Sequence, residues 1–135
     1  MVCCSSTGEK LKPFLIGTAK TPNCFRDNKG KTQNILQKVS YKFNRTAWMT
    51  GAFFKEWAEE LNQKMKNENR KVVLLIDNAS SHSHLVLSNV KLVFLPANTT
   101  GVLQPLDVGI IRMVKVYARK IMLQFLCKIV AYCLR

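Results

Sequence analysis

Between residues 50 and 66, bulky apolar side chains return at every third or fourth position: Phe54, Trp57, Leu61 and Met65, with Lys and Glu opposite them. That spacing keeps one face of an α-helix apolar. Thr50 stands where an N-cap hydroxyl can accept from the first unpaired backbone N–H groups. The pattern predicts a helix over 50–66 whose stripe packs into a core. It then changes abruptly. VVLLID at 72–77 and KLVFLP at 91–96 are unbroken apolar runs, and their length predicts buried strands over 72–77 and 91–95. ASSHSHLVLSNV between them predicts a short helical crossover, which would make the two strands parallel neighbours.

Upstream, VCCSSTGEKLKPFLIG reads as a strand near 2–6, a turn at Thr7-Gly8-Glu9, and a strand near 13–18. Residues 20 to 36 are turn-rich and basic around Gly30, and VSYKFNR (39–45) alternates as an edge strand or extended connection would. At the far end a helix is expected over 108–132. Ile111, Val114, Ala118, Ile121, Phe125 and Ile129 form its apolar stripe, and Arg112, Lys115, Arg119 and Lys120 lie beside it as a basic face. No internal repeat or linker interrupts the 135 residues, so they read as one domain or a piece of one. The fold class expected is α/β, a mixed sheet flanked by helices.

Charge changes this picture most. There are 21 Lys and Arg against 8 Asp and Glu, a net charge of +13 spread along the whole chain. A folded surface that positive suits a polyanion, above all nucleic acid. An apolar content of 47% excludes a disordered tail. Five cysteines with no C-x-x-C pair point to a reduced chain with packing cysteines rather than a disulfide framework or zinc site. No signal peptide is evident, and the apolar stretch from Ile121 to Leu134 is too short to span a bilayer.

Against this background two carboxylates stand out. Asp77 closes the first buried strand, at the sheet edge where sites of α/β proteins gather. Asp107 lies 30 positions later, in the first turn of the last helix, after the loop that leaves the second strand. Both could meet at one end of the sheet, where they would repel each other unless a hard cation such as Mg²⁺ sat between them. Structural explanations compete: Asp-Asn is a common turn pair, and an Asp at a helix N-terminus complements the dipole. His82 and His84 could be ligands but read better as exposed loop histidines. Spacing alone leaves these alternatives open.

The wording of these segments narrows them. VVLLIDNASSH, then NVKLVFLPANTTGVLQPLDVGIIRMVKVYARK, resembles the DDE superfamily endonuclease domain of pogo/Tigger-type transposases. That group includes Tigger transposable element-derived, jerky-like and centromere protein B-like proteins. GEKLKPFLIGTAKTPNCF and NRTAWMTGAFFKEWAEELNQKM match the same family in the same order, so the resemblance covers nearly the whole chain. It implies a ribonuclease-H-like fold, with Asp77 and Asp107 matching the second and third acids of a catalytic triad. It implies two Mg²⁺ (or Mn²⁺) ions, about 3.5–4 Å apart, on a scissile phosphate. Asn98, Thr99, Thr100 and Gln104 fall in the loop that positions the third acid.

The same resemblance implies that the chain is N-terminally truncated, lacking the first strand and the first acid that it carries. Neither Glu9, in a turn, nor Asp27, in the basic loop, can replace that acid. Val108 stands where many relatives carry a polar residue. The expectation is thus a nuclear, DNA-binding, transposase-derived domain that is catalytically incomplete, with Arg112, Lys115, Arg119 and Lys120 on the nucleic acid. The alternative is an active endonuclease and strand-transfer core whose first acid comes from a longer product or a partner. A small basic RNA-binding protein is a third reading, which lacks an interleaved aromatic and basic motif. Self-association through exposed strand edges is also expected.

Overall fold

The computed structural model describes residues 1–25, 35–96 and 106–133, and leaves out the side chains of Cys24, Ile35, Leu36, Asp107, Val108 and residues 128–133. The chain divides into two compact units, Met1–Val72 with Ala79–Lys91, and Val73–Asn78 with Leu92–Arg135.

The first unit opens with an irregular hairpin. Ser5 N–H donates to Glu9 O at 2.8 Å, Leu11 N–H to Cys3 O at 3.0 Å, and Cys4 bridges Lys10 antiparallel. Gly8 closes the turn at φ 90°, a left-handed conformation that suits a residue without Cβ. Strand β1 (Phe14–Gly17) leaves the hairpin and pairs with β2 (Ser40–Phe43) in parallel, Phe14 opposite Ser40 and Gly17 opposite Phe43. Phe14 N–H donates back to Met1 O while Pro13 O accepts from Ser40 N–H, so the chain around Phe14 is bonded on both edges. The Tyr41 ring lies where a side chain at Gly17 would have to go, and its hydroxyl donates to Ala19 O at 2.6 Å. A three-residue 3₁₀ turn (Asn23–Phe25) puts Phe25 edge-on to Tyr41 at 4.9 Å, and a single helical turn, α1 (Ile35–Lys38), precedes β2.

Helix α2 (Gly51–Asn67) organises this unit. Its cap is Thr50, whose hydroxyl accepts from Phe53 N–H at 3.2 Å. Its end is set by Asn69 at φ 50°, a conformation Asn tolerates, with Arg70 N–H closing onto Met65 O at 2.8 Å. The stripe Phe54, Trp57, Leu61 and Met65 is buried, joined by Ala58, and Phe54 has no exposure at all. Phe14, Phe25 and Val90 complete the unit's buried apolar set. Asn89 ties the start of the following strand to this helix and the residues after it, donating its N–H to Asn62 Oδ1 at 2.8 Å and its Nδ2 to Arg70 O at 2.9 Å.

Strands β3 (Val72–Ile76) and β4 (Val90–Phe94) form the second sheet. Val72 N–H donates to Asn89 O and Leu95 N–H to Ile76 O, so both chains advance together, the parallel pairing expected. The last helix begins as a π-helical turn (Leu106–Ile110) and continues as α3 (Ile111–Cys133).

Three expectations need correction. The described strands make two separate two-stranded sheets, not one mixed sheet, because β2 pairs with β1 and no described strand links that pair to β3 and β4. The segment from 79 to 89 contains no helix; it is rich in Ser, whose hydroxyl can offer the backbone an alternative to helical hydrogen bonds, and only a turn forms, His82 N–H to Ala79 O at 2.9 Å. The stripe of α3 is not packed: every residue from Arg112 to Cys127 is exposed, Ile121 at 65% and Phe125 at 64%. A helix satisfies its own backbone, so α3 can form without the surface its apolar face calls for. The side chain of Ile129 and residues 26–34 of the basic loop lie outside what is described.

Truncating Phe54 to Ala should cost about 3–5 kcal/mol, read as a fall in the urea midpoint, because it opens a cavity at the largest fully enclosed side chain of α2. An unchanged midpoint would show that α2 is not packed as described. A second expectation concerns acid. Hydrogen bonds from Arg70 and Lys64 hold the Glu9 carboxyl below its ordinary value. Its folded value is thus lower than its unfolded one. The stabilisation is complete above about pH 4.5 and is lost as pH falls through the lowered folded value. The urea midpoint should drop over that range, and Glu9→Gln should remove this component of the drop.

Candidate nucleic-acid and metal site

Asp77 follows directly on Ile76, the buried last residue of β3, at the C-terminal end of that strand. It is half-buried, and its Oδ1 is shielded from solvent. A strand places this carboxylate better than a loop would, because Ile76 is anchored by its side chain and by its carbonyl, which accepts from Leu95 N–H at 2.8 Å. Asp107 sits in the π-helical turn that leads into α3, so its backbone is at the helix entrance as expected; its side chain lies outside the described residues. Asn98, Thr99, Thr100 and Gln104 lie outside them too. Among the described residues no three His, Cys, Asp or Glu side chains gather to hold a metal ion. One hard oxygen donor at a strand end, with one oxygen already out of water, fits a share in a Mg²⁺ site and is not by itself a complete one.

The histidines take different places. His84 is exposed, whereas the half-buried His82 packs its ring on Phe54, centroids 4.6 Å apart. Gly51 faces this loop, and a Cβ there would meet Ser83 Oγ at 3.2 Å, so a side chain at the first position of α2 would crowd it.

Arg112, Lys115, Arg119 and Lys120 are all exposed along α3. No acidic residue follows Asp107 in the sequence. The described ion pairs are Lys42–Glu56 at 2.6 Å, Lys55–Glu59, and a cluster of Glu9, Lys64, Glu68 and Arg70, all around α2. Among the described residues none engages Arg112, Lys115, Arg119 or Lys120. Among the described residues no helix is long and apolar enough to cross a membrane.

The model of the DDE superfamily endonuclease family matches residues 1–129. The chain belongs to this family. Tigger transposable element-derived protein 4 of Mus musculus is 32% identical over 112 residues, covering 82% of this DDE chain and 21% of that protein. CENP-B homolog protein 2 of Schizosaccharomyces pombe is 32% identical over 135 residues, 93% of this chain and 26% of that protein. ARS-binding protein 1 of the same yeast is 31% identical, with 93% and 25% covered. The DDE chain thus spans about a quarter of the length of these relatives. No solved structure matches it.

One feature escaped the sequence reading. Trp48 is 76% exposed, more than any described Phe or Tyr. Its signal was positional: it precedes the Thr50 cap and so cannot join the helical stripe.

Proposed function

We propose that this DDE domain is a transposase-derived DNA-binding module on a ribonuclease-H-like scaffold, acting in the nucleus, that does not cut DNA by itself. The observation that carries the reading is the exposed basic side of α3, Arg112, Lys115, Arg119 and Lys120, on a chain of net charge +13. Phosphates are the chemistry such a surface meets, and contacts of this kind hold DNA without reading its sequence. One relative is named for binding ARS, which agrees with this reading.

Asp77 and Asp107 are the carboxylates we assign to metal. A bound Mg²⁺ supplies charge neutralisation at a scissile phosphate and activation of water. Asp77 presents a fixed oxygen from the end of β3, and Asp107 stands at the entrance of α3. With Asp77 and Asp107 as the two carboxylates assigned to metal, the charge at a reacting phosphate is under-compensated. The deficit should be several kcal/mol, hence a rate lower by a thousandfold or more. The strands of the two sheets have open edges among the described residues, and we propose that copies can associate through them.

Two measurements test this. DNA affinity should fall steeply with salt, log K declining by about 0.9 per phosphate neutralised. Reversing charge at Arg112, Lys115 and Arg119 should weaken all sequences alike and lower the salt slope by roughly one per side chain. Affinity indifferent to salt would refute the phosphate mode. For the metal, Asp77→Asn should weaken Mn²⁺ binding at least tenfold, roughly 1.4 kcal/mol, without moving the urea midpoint. Supercoiled DNA should stay uncut with either chain. Nicking by the unaltered chain that Asp77→Asn abolishes would instead establish the active endonuclease.

A further inference from the structure

Trp48 opens onto a groove of about 530 Å³ in the first unit, walled by Phe14, Leu15, Ala47, Met49 and His82. That volume is in the range of ligand sites, about 300–1,000 Å³. The floor is firm, since Phe14 is buried and the His82 ring is stacked on Phe54. The indole is held out by the turn before α2. Asn44 Nδ2 donates to Trp48 O at 2.8 Å, and Asn44 Oδ1 accepts from Thr46 N–H at 3.1 Å and from its hydroxyl at 3.2 Å. Ala47 N–H closes the turn onto Asn44 O, with Ala47 at φ 55°, a conformation costly for a residue other than Gly or Asn.

Three observations define the occupant. The exposed indole is a flat apolar platform, which every nucleobase can stack on. None of the residues lining the groove is acidic, so nothing there favours a cation or a basic peptide. Arg45, in the same turn, is exposed, on a chain that carries +13 overall. A ring system attached to a polyanion meets all three conditions. We propose that the groove takes an unpaired nucleobase of single-stranded DNA, stacked on Trp48, with Arg45 against the adjoining phosphate. This deepens the DNA-binding reading and rests on it, but it assigns a different surface and a different state of the DNA. Paired bases are already stacked and cannot enter, so the groove is selective for single strands where the basic side of α3 is not.

The test uses the 135-residue chain with (dT)₁₀ and a ten-base-pair duplex, reading tryptophan emission and affinity. Trp57 is 7% exposed, so quenching by the oligonucleotide should come from Trp48. Saturable quenching by (dT)₁₀ is expected, absent in Trp48→Ala. That variant should lose roughly five- to a hundredfold in (dT)₁₀ affinity, keep its duplex affinity, and unfold at the same urea concentration. Trp48→Phe should retain most of the single-strand affinity. Trp48→Ala binding (dT)₁₀ as tightly as the unaltered chain overturns the proposal, as does duplex binding with no quenching by (dT)₁₀. Tighter binding of (rU)₁₀ overturns the assignment to DNA. Quenching by (dT)₁₀ without salt-dependent duplex binding upholds the groove and fails the basic-helix reading alone.

Discussion

Burial of one face of α2 is the constraint on which the first unit depends. Phe54 and Ala58 have no exposure, and Trp57, Leu61 and Met65 have little, so this single stripe supplies most of the buried apolar surface described. Everything fastened to it is held at second hand. The loop after β3 docks where His82 meets Phe54 and Ser83 faces Gly51, and Asn62 holds the start of β4. The cap at Thr50 fixes where the helix begins, and so where the Asn44–Trp48 turn must end. Hydrophobic burial here is the fold's large favourable term, while the surface ion pairs add little each.

Those ion pairs matter more for what they leave over. The pairs described engage Glu9, Glu56, Glu59 and Glu68 with basic residues around α2. No acid follows Asp107 in the sequence, and α3 carries no Asp or Glu of its own. A positive surface of this kind raises the local concentration of polyanions and speeds encounter, but it confers no sequence choice. The proposed roles of α3 in affinity, of Asp77 in metal binding and of Trp48 in stacking are thus separable by experiment.

Much of this was legible in the sequence, for physical reasons that differ by element. The 3.6-residue period of Phe54, Trp57, Leu61 and Met65 survives in α2 because each side chain is needed in the core. VVLLI and VKLVF became β3 and β4 because apolar runs that short satisfy their backbone only by pairing. Pattern failed where it records a need without naming the partner. The stripe of α3 says that a face suits burial, not what covers it. The alternation at 39–45 allowed a strand but not its parallel pairing with β1, a long-range contact that the Tyr41–Gly17 fit helps to seat. For the candidate site the sequence indicated a position only, Asp77 directly after β3, whereas Trp48 was invisible because exposure is a property of the folded surface.

On the function proposed, DNA meets this domain at α3 and at the Trp48 turn, and not at the charged face of α2. Ultraviolet crosslinking of bound DNA, with the adducts located by mass spectrometry, tests it directly. The account predicts single-strand adducts on the Asn44–Met49 turn and adducts of either DNA form on Arg112–Lys120. Adducts confined to Lys55, Lys64 and Lys66 of α2, or spread evenly along the chain, would contradict it.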